Sequence, residues 1–229
     1  TLMRAKDRVQ ALQQLKIHLK ICGLRRPEDV TYANEVQPDF AGFVFAPSKR
    51  QVTREEAAEL VEQLDPRIHT VGVFVDQPVD FIAELLAAGV IEYAQLHGSE
   101  DAAYIEALRK RTALLGKTAK IIKTVKVGSA TDLENISEID CEYLLLDAWS
   151  KEGEAAGGNG RTFDWSLIKA LEKPFFLAGG LTVDNVQQAV RMTSPYGIDA
   201  SSCMETEDCK DLNKMKAFAQ AVRVTETHN

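Results

Sequence analysis

Along this chain the spacing of apolar residues switches repeatedly between a period of two and a period near 3.6. Ile17-His-Leu-Lys-Ile-Cys22 alternates apolar and polar positions and stops at Gly23, which predicts a first strand. Pro27 follows where a first helical turn accepts it, and Glu28 and Asp29 suit the positive end of that helix. Phe40-Ala-Gly-Phe-Val-Phe45 reads as the second strand, stopped by Ala46-Pro47-Ser48. Thr53-Arg-Glu-Glu56 is a capping box, with Ala57, Leu60, Val61 and Leu64 as the buried face of the next helix. Further strands are expected at 70–75, 91–96, 120–125 and 143–147, and in the runs that begin at Phe175 and Gly197. Helices are expected at 78–88, 100–113 (capped by Ser99), 130–138, briefly from Trp165, and at 183–192 and 211–223.

Eight strands, each followed by a helical pattern, predict an α/β fold with a parallel closed sheet, the (β/α)8 barrel. An open doubly wound sheet would use the same element order, but its first turn, Cys22-Gly-Leu-Arg-Arg26, is no dinucleotide fingerprint. Leu2, Val9, Leu12 and Leu15 mark one more helix ahead of the first strand, which a barrel does not require. The expected organisation is therefore a helical extension at 1–16 and a barrel at 17–225.

Composition changes this picture little. The chain has 229 residues, 45% of them hydrophobic, enough for one large core. A net charge of −7 argues against a nucleic-acid surface and makes any anion site a local feature. No apolar run reaches membrane-spanning length, and the first residues lack the apolar core of a signal peptide. Cys22, Cys141, Cys203 and Cys209 lack metal-type spacing, so reduced thiols in a cytoplasmic enzyme are expected.

In a barrel, residues at the C-terminal strand ends face one site whatever their separation in sequence. That rule selects Cys22, Arg50, Gln95, His97, Asp147 and two late turns, Ala178-Gly-Gly180 and Ala200-Ser-Ser202. Gly179 and Gly180 allow close backbone approach, Ser201 and Ser202 add donors, and Thr182 is a candidate helix cap; together they suit a phosphate group. Cys22 has Lys20, Arg25 and Arg26 nearby in sequence, and positive potential would lower its thiol pKa towards use as a base. Asp147 follows three leucines, and partial burial would raise its pKa and suit it to acid work. Gln95 and His97 are expected to contact substrate, His97 as a hydrogen bonder. Gly157-Gly-Asn-Gly-Arg-Thr162 fails as a nucleotide loop, because Ala155 stands where a glycine is needed and Arg161 where lysine is needed. A loop beside the site, covering 148–164, is the expected use.

Lys20-Ile-Cys-Gly-Leu24, Gly42-Phe-Val-Phe45 with Ser48-Lys-Arg50, Val71-Gly-Val-Phe-Val75, Gln95-Leu-His-Gly98, Gly157 to Trp165, Leu177-Ala-Gly-Gly180 and Asp199-Ala-Ser-Ser202 stand in order. They resemble the motifs of the phosphoribosylanthranilate isomerase family. The resemblance implies a barrel enzyme of tryptophan biosynthesis that works without cofactor or metal on a small phosphorylated substrate. It implies Cys22 as general base and Asp147 as general acid. It also implies Arg50 as the partner of the anthranilate carboxylate, with phosphate held around Gly179, Gly180, Ser201 and Ser202. Leu2-Met-Arg-Ala-Lys-Asp-Arg-Val9 with Ala11-Leu12 is similar to the end of indole-3-glycerol-phosphate synthase, which implies covalent fusion to that enzyme.

The family usually has Ser-Ser-Gly after its last strand, where this chain has Ser201-Ser-Cys203, and a glycine before Lys-Asp, where it has Glu207-Asp-Cys209. Cys203 is therefore expected to loosen the hold on phosphate. Two other functions fit a barrel of this kind. A sister isomerase of histidine biosynthesis would be expected to show a pair of aspartates in place of Cys22 and Asp147. A barrel kept only to sense a phosphorylated ligand would be the reading if the altered turn had ended catalysis.

Overall fold

The computed structural model describes residues 16–148, 162–169 and 171–225. Eight parallel strands close into a barrel in the order in which they occur in the chain: β1 (His18–Cys22), β2 (Phe40–Val44), β3 (His69–Phe74), β4 (Tyr93–Leu96), β5 (Lys120–Val127), β6 (Tyr143–Ala148), β7 (Phe175–Leu177) and β8 (Gly197–Ala200). β8 returns to β1 in the register Lys20 to Asp199. Among the described residues six α-helices surround it: α1 (Pro27–Val36), α2 (Arg54–Gln63), α3 (Val79–Ala87), α4 (Ala102–Leu114), α5 (Val186–Thr193) and α6 (Leu212–Val224).

The helix starts follow their local chemistry. Both hydrogen bonds of the Thr53/Glu56 capping box form at α2. At α1 the Asp29 carboxylate takes the N–H groups of Arg25 and Arg26, so a side chain satisfies donors that precede the helix. Ser99 is not the cap of α4. Asp101 is, accepting from the Tyr104 N–H, because Glu100 is drawn inward to the Lys123 ammonium and the Gly98 N–H. The helix expected at 130–138 is two short 3-10 turns, Ala130–Leu133 and Ile136–Glu138, divided by Asn135 in a left-handed conformation that no α-helix accommodates. From Trp165 there is one 3-10 turn, Trp165–Leu167. The helix expected at 2–16 and most of the loop expected at 148–164 lie outside the described residues.

Two cores hold the barrel. The larger fills the space between strands and helices, with Ile21, Phe43, Phe74, Leu96, Leu144 and Phe218 fully or nearly fully buried. The smaller, inside the barrel, is built on Phe40, Val71, Tyr93, Ile122, Leu145 and Phe176. Phe40 meets Phe176 edge to face at 5.2 Å, and His18 stacks on Tyr196 at 4.0 Å. Side chains on a strand alternate between its faces. The inward series His18, Lys20, Cys22 therefore climbs from this aromatic floor to the C-terminal rim, as do Ile122, Thr124, Lys126 and Tyr143, Leu145, Asp147. The floor is apolar and closed, so polar chemistry is confined to the upper layers.

Candidate active site

A cavity of about 400 Å³ opens at the C-terminal ends of the strands. Cys22, Arg50, Gln95, His97, Asp147, Gly179, Gly180, Ser201 and Ser202, the nine residues expected from the sequence, all line it. Val44, Pro47, Val73 and Val75 give one side an apolar wall, suited to a flat aromatic group.

Cys22 ends β1 and is buried. Burial pushes its thiol above the ordinary value, against the pull of the Lys20 and Lys210 ammonium groups, so the expected lowering is not found in the free site. The reason lies in the cations. Lys20, fully buried one inward step below, acts on the thiol by its charge but is paired with Asp199 across the β1–β8 seam at 2.8 Å. Lys210 is spent on Glu205 at 2.7 Å and on Ser201. Arg25 and Arg26, adjacent in sequence, turn away to the Asp208 carbonyl and to Asp29.

Asp147 is the last residue but one of β6, with its side chain about 10% exposed. Lys126 Nζ donates to its Oδ2 at 2.5 Å. Its Oδ1 lies against the β7 turn, where a Cβ built on Gly179 (φ +90) would stand 2.8 Å away. Only glycine fits there, on conformation and on space.

His97 receives contacts on both ring nitrogens: Thr124 Oγ1 at 2.9 Å and the Gln95 amide at 3.1 Å on Nδ1, and Lys126 Nζ at 3.1 Å on Nε2. An ammonium group only donates, so Nε2 accepts and the ring proton sits on Nδ1. The Gln95 amide then turns its oxygen to that proton, an orientation assigned from the network. The other end of the amide is buried with no partner among the described residues. Burial and the Lys126 charge hold the imidazole well below its usual pKa, so His97 is neutral.

Arg50 is more committed than expected. Its Nε and Nη2 bind both oxygens of Glu205 at 2.8 and 2.7 Å, and the two side chains are 8% and 6% exposed. Nη1 is the edge left for a ligand carboxylate, with no partner among the described residues. At the β8 turn, Ser201 Oγ donates to the Cys22 carbonyl, which leaves its backbone rather than its hydroxyl for an anion. Ser202 and Cys203, the first residues of the 3-10 turn Ser202–Met204, line the cavity.

Thr182 does not cap a helix. A turn intervenes, α5 starts at Val186, and the Asn185 side chain joins the Thr182 N–H to the Gly180 carbonyl. The anion site therefore rests on the backbone of the two turns. Cys203 lines the cavity with φ outside the left-handed region, so the turn keeps a conformation open to any residue. Burial pushes its thiol up to about 11.

Lys126, Glu205 and the pairing of Lys20 with Asp199 were not singled out from the sequence. Lys20 and Asp199 had a signal, a charge at an inward position of each of two strands that meet at the barrel seam. Lys126 was hidden by a boundary, since the apolar alternation of β5 fades at Val125 while the ladder with β6 continues to Val127.

Fold and cavity together are those of a (β/α)8 barrel with its polar groups gathered at the C-terminal strand ends. A family model described as N-(5'phosphoribosyl)anthranilate (PRA) isomerase matches residues 19–221. The chain is 44% identical over 212 residues to the N-(5'-phosphoribosyl)anthranilate isomerase of Acetivibrio thermocellus, covering 90% of this chain and 95% of that one. The crystal structure of the Thermotoga maritima isomerase matches with a TM-score of 0.79 at 31% identity, over 91% of this chain and 99% of that one. A crystal structure of phosphoribosyl anthranilate isomerase in complex with reduced 1-(o-carboxyphenylamino)-1-deoxyribulose 5-phosphate matches at 0.76 and 30% identity, over the same shares. This chain belongs to the phosphoribosylanthranilate isomerase family.

Proposed function

We infer that the chain converts N-(5-phosphoribosyl)anthranilate to 1-(2-carboxyphenylamino)-1-deoxyribulose 5-phosphate, an Amadori rearrangement of tryptophan biosynthesis. The observation that carries the mechanism is one cavity with a cysteine from β1 and an aspartate from β6, between two backbone turns suited to phosphate. Asp147 in its protonated form gives a proton to the furanose oxygen as the bond from the anomeric carbon breaks, leaving an iminium ion. Cys22 takes the proton from C2, which the iminium has made acidic, and the enolamine that results becomes the ketone. Cys22 acts in its thiolate form, and the iminium adds a positive charge to those of Lys20 and Lys210 already near it. Each proton transfer contributes roughly 10²–10⁴-fold. The apolar wall takes the anthranilate ring, Arg50 Nη1 its carboxylate, and Gly179, Gly180, Ser201 and Ser202 the phosphate.

The test is consumption of phosphoribosylanthranilate, followed by loss of its fluorescence. Turnover of the aminoimidazole substrate of histidine biosynthesis instead would assign the sister reaction, and no turnover of either would leave a phosphate-ligand sensor. Two wider readings go with the function. The pathway places the enzyme in the cytoplasm, to be checked by cell fractionation. Residues 1–16 we read as the end of a fused indole-3-glycerol-phosphate synthase, because Leu2-Met-Arg-Ala-Lys is similar to that enzyme's last helix. Absence of synthase activity from the polypeptide the gene encodes would remove the fusion.

A further inference from the structure

The acid of this reaction must present one chosen oxygen to the substrate, and the neighbourhood of Asp147 shows what selects it. β5 and β6 pair with Lys126 directly opposite Asp147, so the two side chains leave the sheet side by side at the barrel's upper rim. Lys126 is the fourth inward residue of its strand, after Lys120, Ile122 and Thr124, and stands one inward step above the threonine that holds His97. Its ammonium group touches Oδ2 of Asp147 and, at 3.1 Å, the unprotonated Nε2 of His97. His97 Nε2 itself stands 3.6 Å from that same Oδ2. Oδ2 is thus occupied from the β4 and β5 sides. Oδ1 is the oxygen left beside Gly179, and the β7 turn brings no titratable side chain to it.

We propose that Lys126 is a positioning residue for the general acid: anchored on the neutral imidazole of His97, it grips Oδ2 of Asp147 and leaves Oδ1 as the oxygen that protonates the substrate's ring. The anchoring explains why His97 is held by Thr124 and Gln95 on its far nitrogen. The ring is a fixed acceptor that keeps a long, flexible lysine in one place. Lys126 is about 30% exposed and does not line the cavity, so its effect on the reaction passes through Asp147 rather than through substrate contact.

The proposal rests on the isomerase reading, and the two fail separately. If the unaltered chain does not consume phosphoribosylanthranilate, the function falls first. Given turnover, Lys126→Met should lower kcat by up to about 100-fold, the effect of a misplaced reacting group, while KM stays within about twofold. The pH profile supplies a readout that a structural role would not move. A general acid works protonated, and a neighbouring ammonium favours the ionised carboxylate. Among the described residues the charged and titratable groups in contact with Asp147 are Lys126 on β5 and His97 after β4, and of these Lys126 is the cation. Its removal should therefore move the basic limb of the kcat profile to higher pH. Lys126→Arg should restore most of kcat and return the limb. His97→Asn, which removes the anchor and keeps the ammonium, should lower kcat and leave the limb in place. If Lys126→Met is poorly folded, Lys126→Gln takes its place in the same comparison. A kcat within twofold of the unaltered chain, a loss expressed mainly in KM, or an unmoved basic limb in the Lys126→Met or Lys126→Gln protein would overturn the proposal.

Discussion

Cys22 and Asp147 are separated by more than half the chain, and each was selected by one rule, that a strand-end residue in a barrel faces the site. Their roles predict a common kinetic signature. Cys22→Ser and Asp147→Asn should each lower kcat far more than they weaken binding, because both groups act on protons that move in the transition state. Near-normal kcat in Cys22→Ser would remove the base assignment. Cys203 teaches a different lesson. Against a family background of glycine, the cysteine pointed to a loosened phosphate turn, yet its backbone needs no left-handed conformation. Cys203→Gly should therefore change KM by no more than about twofold, the effect of an ordinary local substitution. A tenfold fall in KM would mean that the cysteine side chain does obstruct the phosphate.

Elements carry a second layer of information, in their ends more than in their middles. The middle of β5 was legible because Ile121, Ile122 and Val125 are apolar, but the strand's last residues were not. A ladder continues as long as its neighbour offers partners, and β6 offers them up to Ala148. The hairpin after β8 shows the converse, a local sequence that resists its own fold. Glu205–Thr206 and Cys209–Lys210 pair as two short strands joined by Glu207 and Asp208, both left-handed, at φ 50 and 61. Such two-residue turns favour asparagine and glycine. Asp208 offsets its strain with the Lys49 ion pair and with its carbonyl on Arg25, whereas Glu207 is exposed and has no such contact among the described residues. Glu207→Gly should raise stability by about 0.5–1 kcal/mol, or roughly 1–4 °C in Tm, as calorimetry would show. A lower Tm would mean that the glutamate is held by something other than backbone geometry.

At the scale of the molecule, the hairpin is fastened to the barrel by a buried cluster, Glu205 with Arg50 from the loop after β2 and Lys210 from its own hairpin. Burial raises the Glu205 pKa, but the hydrogen bonds of Arg50 and the charge of Lys210 outweigh it and bring the carboxyl down to about 2. A group whose folded pKa is depressed contributes stability above its unfolded value, near 4.5, and that contribution is lost as pH falls towards 2. Glu205→Gln should thus remove part of the acid sensitivity between about pH 4.5 and 2. It should also destabilise the protein at pH 7 by on the order of 3–5 kcal/mol, since two buried cations lose their partner. Parallel Tm curves for the two proteins across that pH range would count against the cluster as an acid-sensitive clamp. The same cluster marks the boundary of what could be read from the chain alone. Strand and helix alternation, the barrel, and the nine residues around the cavity followed from the sequence, because periodicity is local and the strand-end rule turns local position into a common site. Pairing was decided only in three dimensions. That Lys20 spends its charge on Asp199, that Glu205 takes one edge of Arg50, and that Lys126 reaches Oδ2 of Asp147 depend on distances between segments separated in the chain. Electrostatic interaction follows separation in space, and the sequence specifies that separation only through the closed sheet.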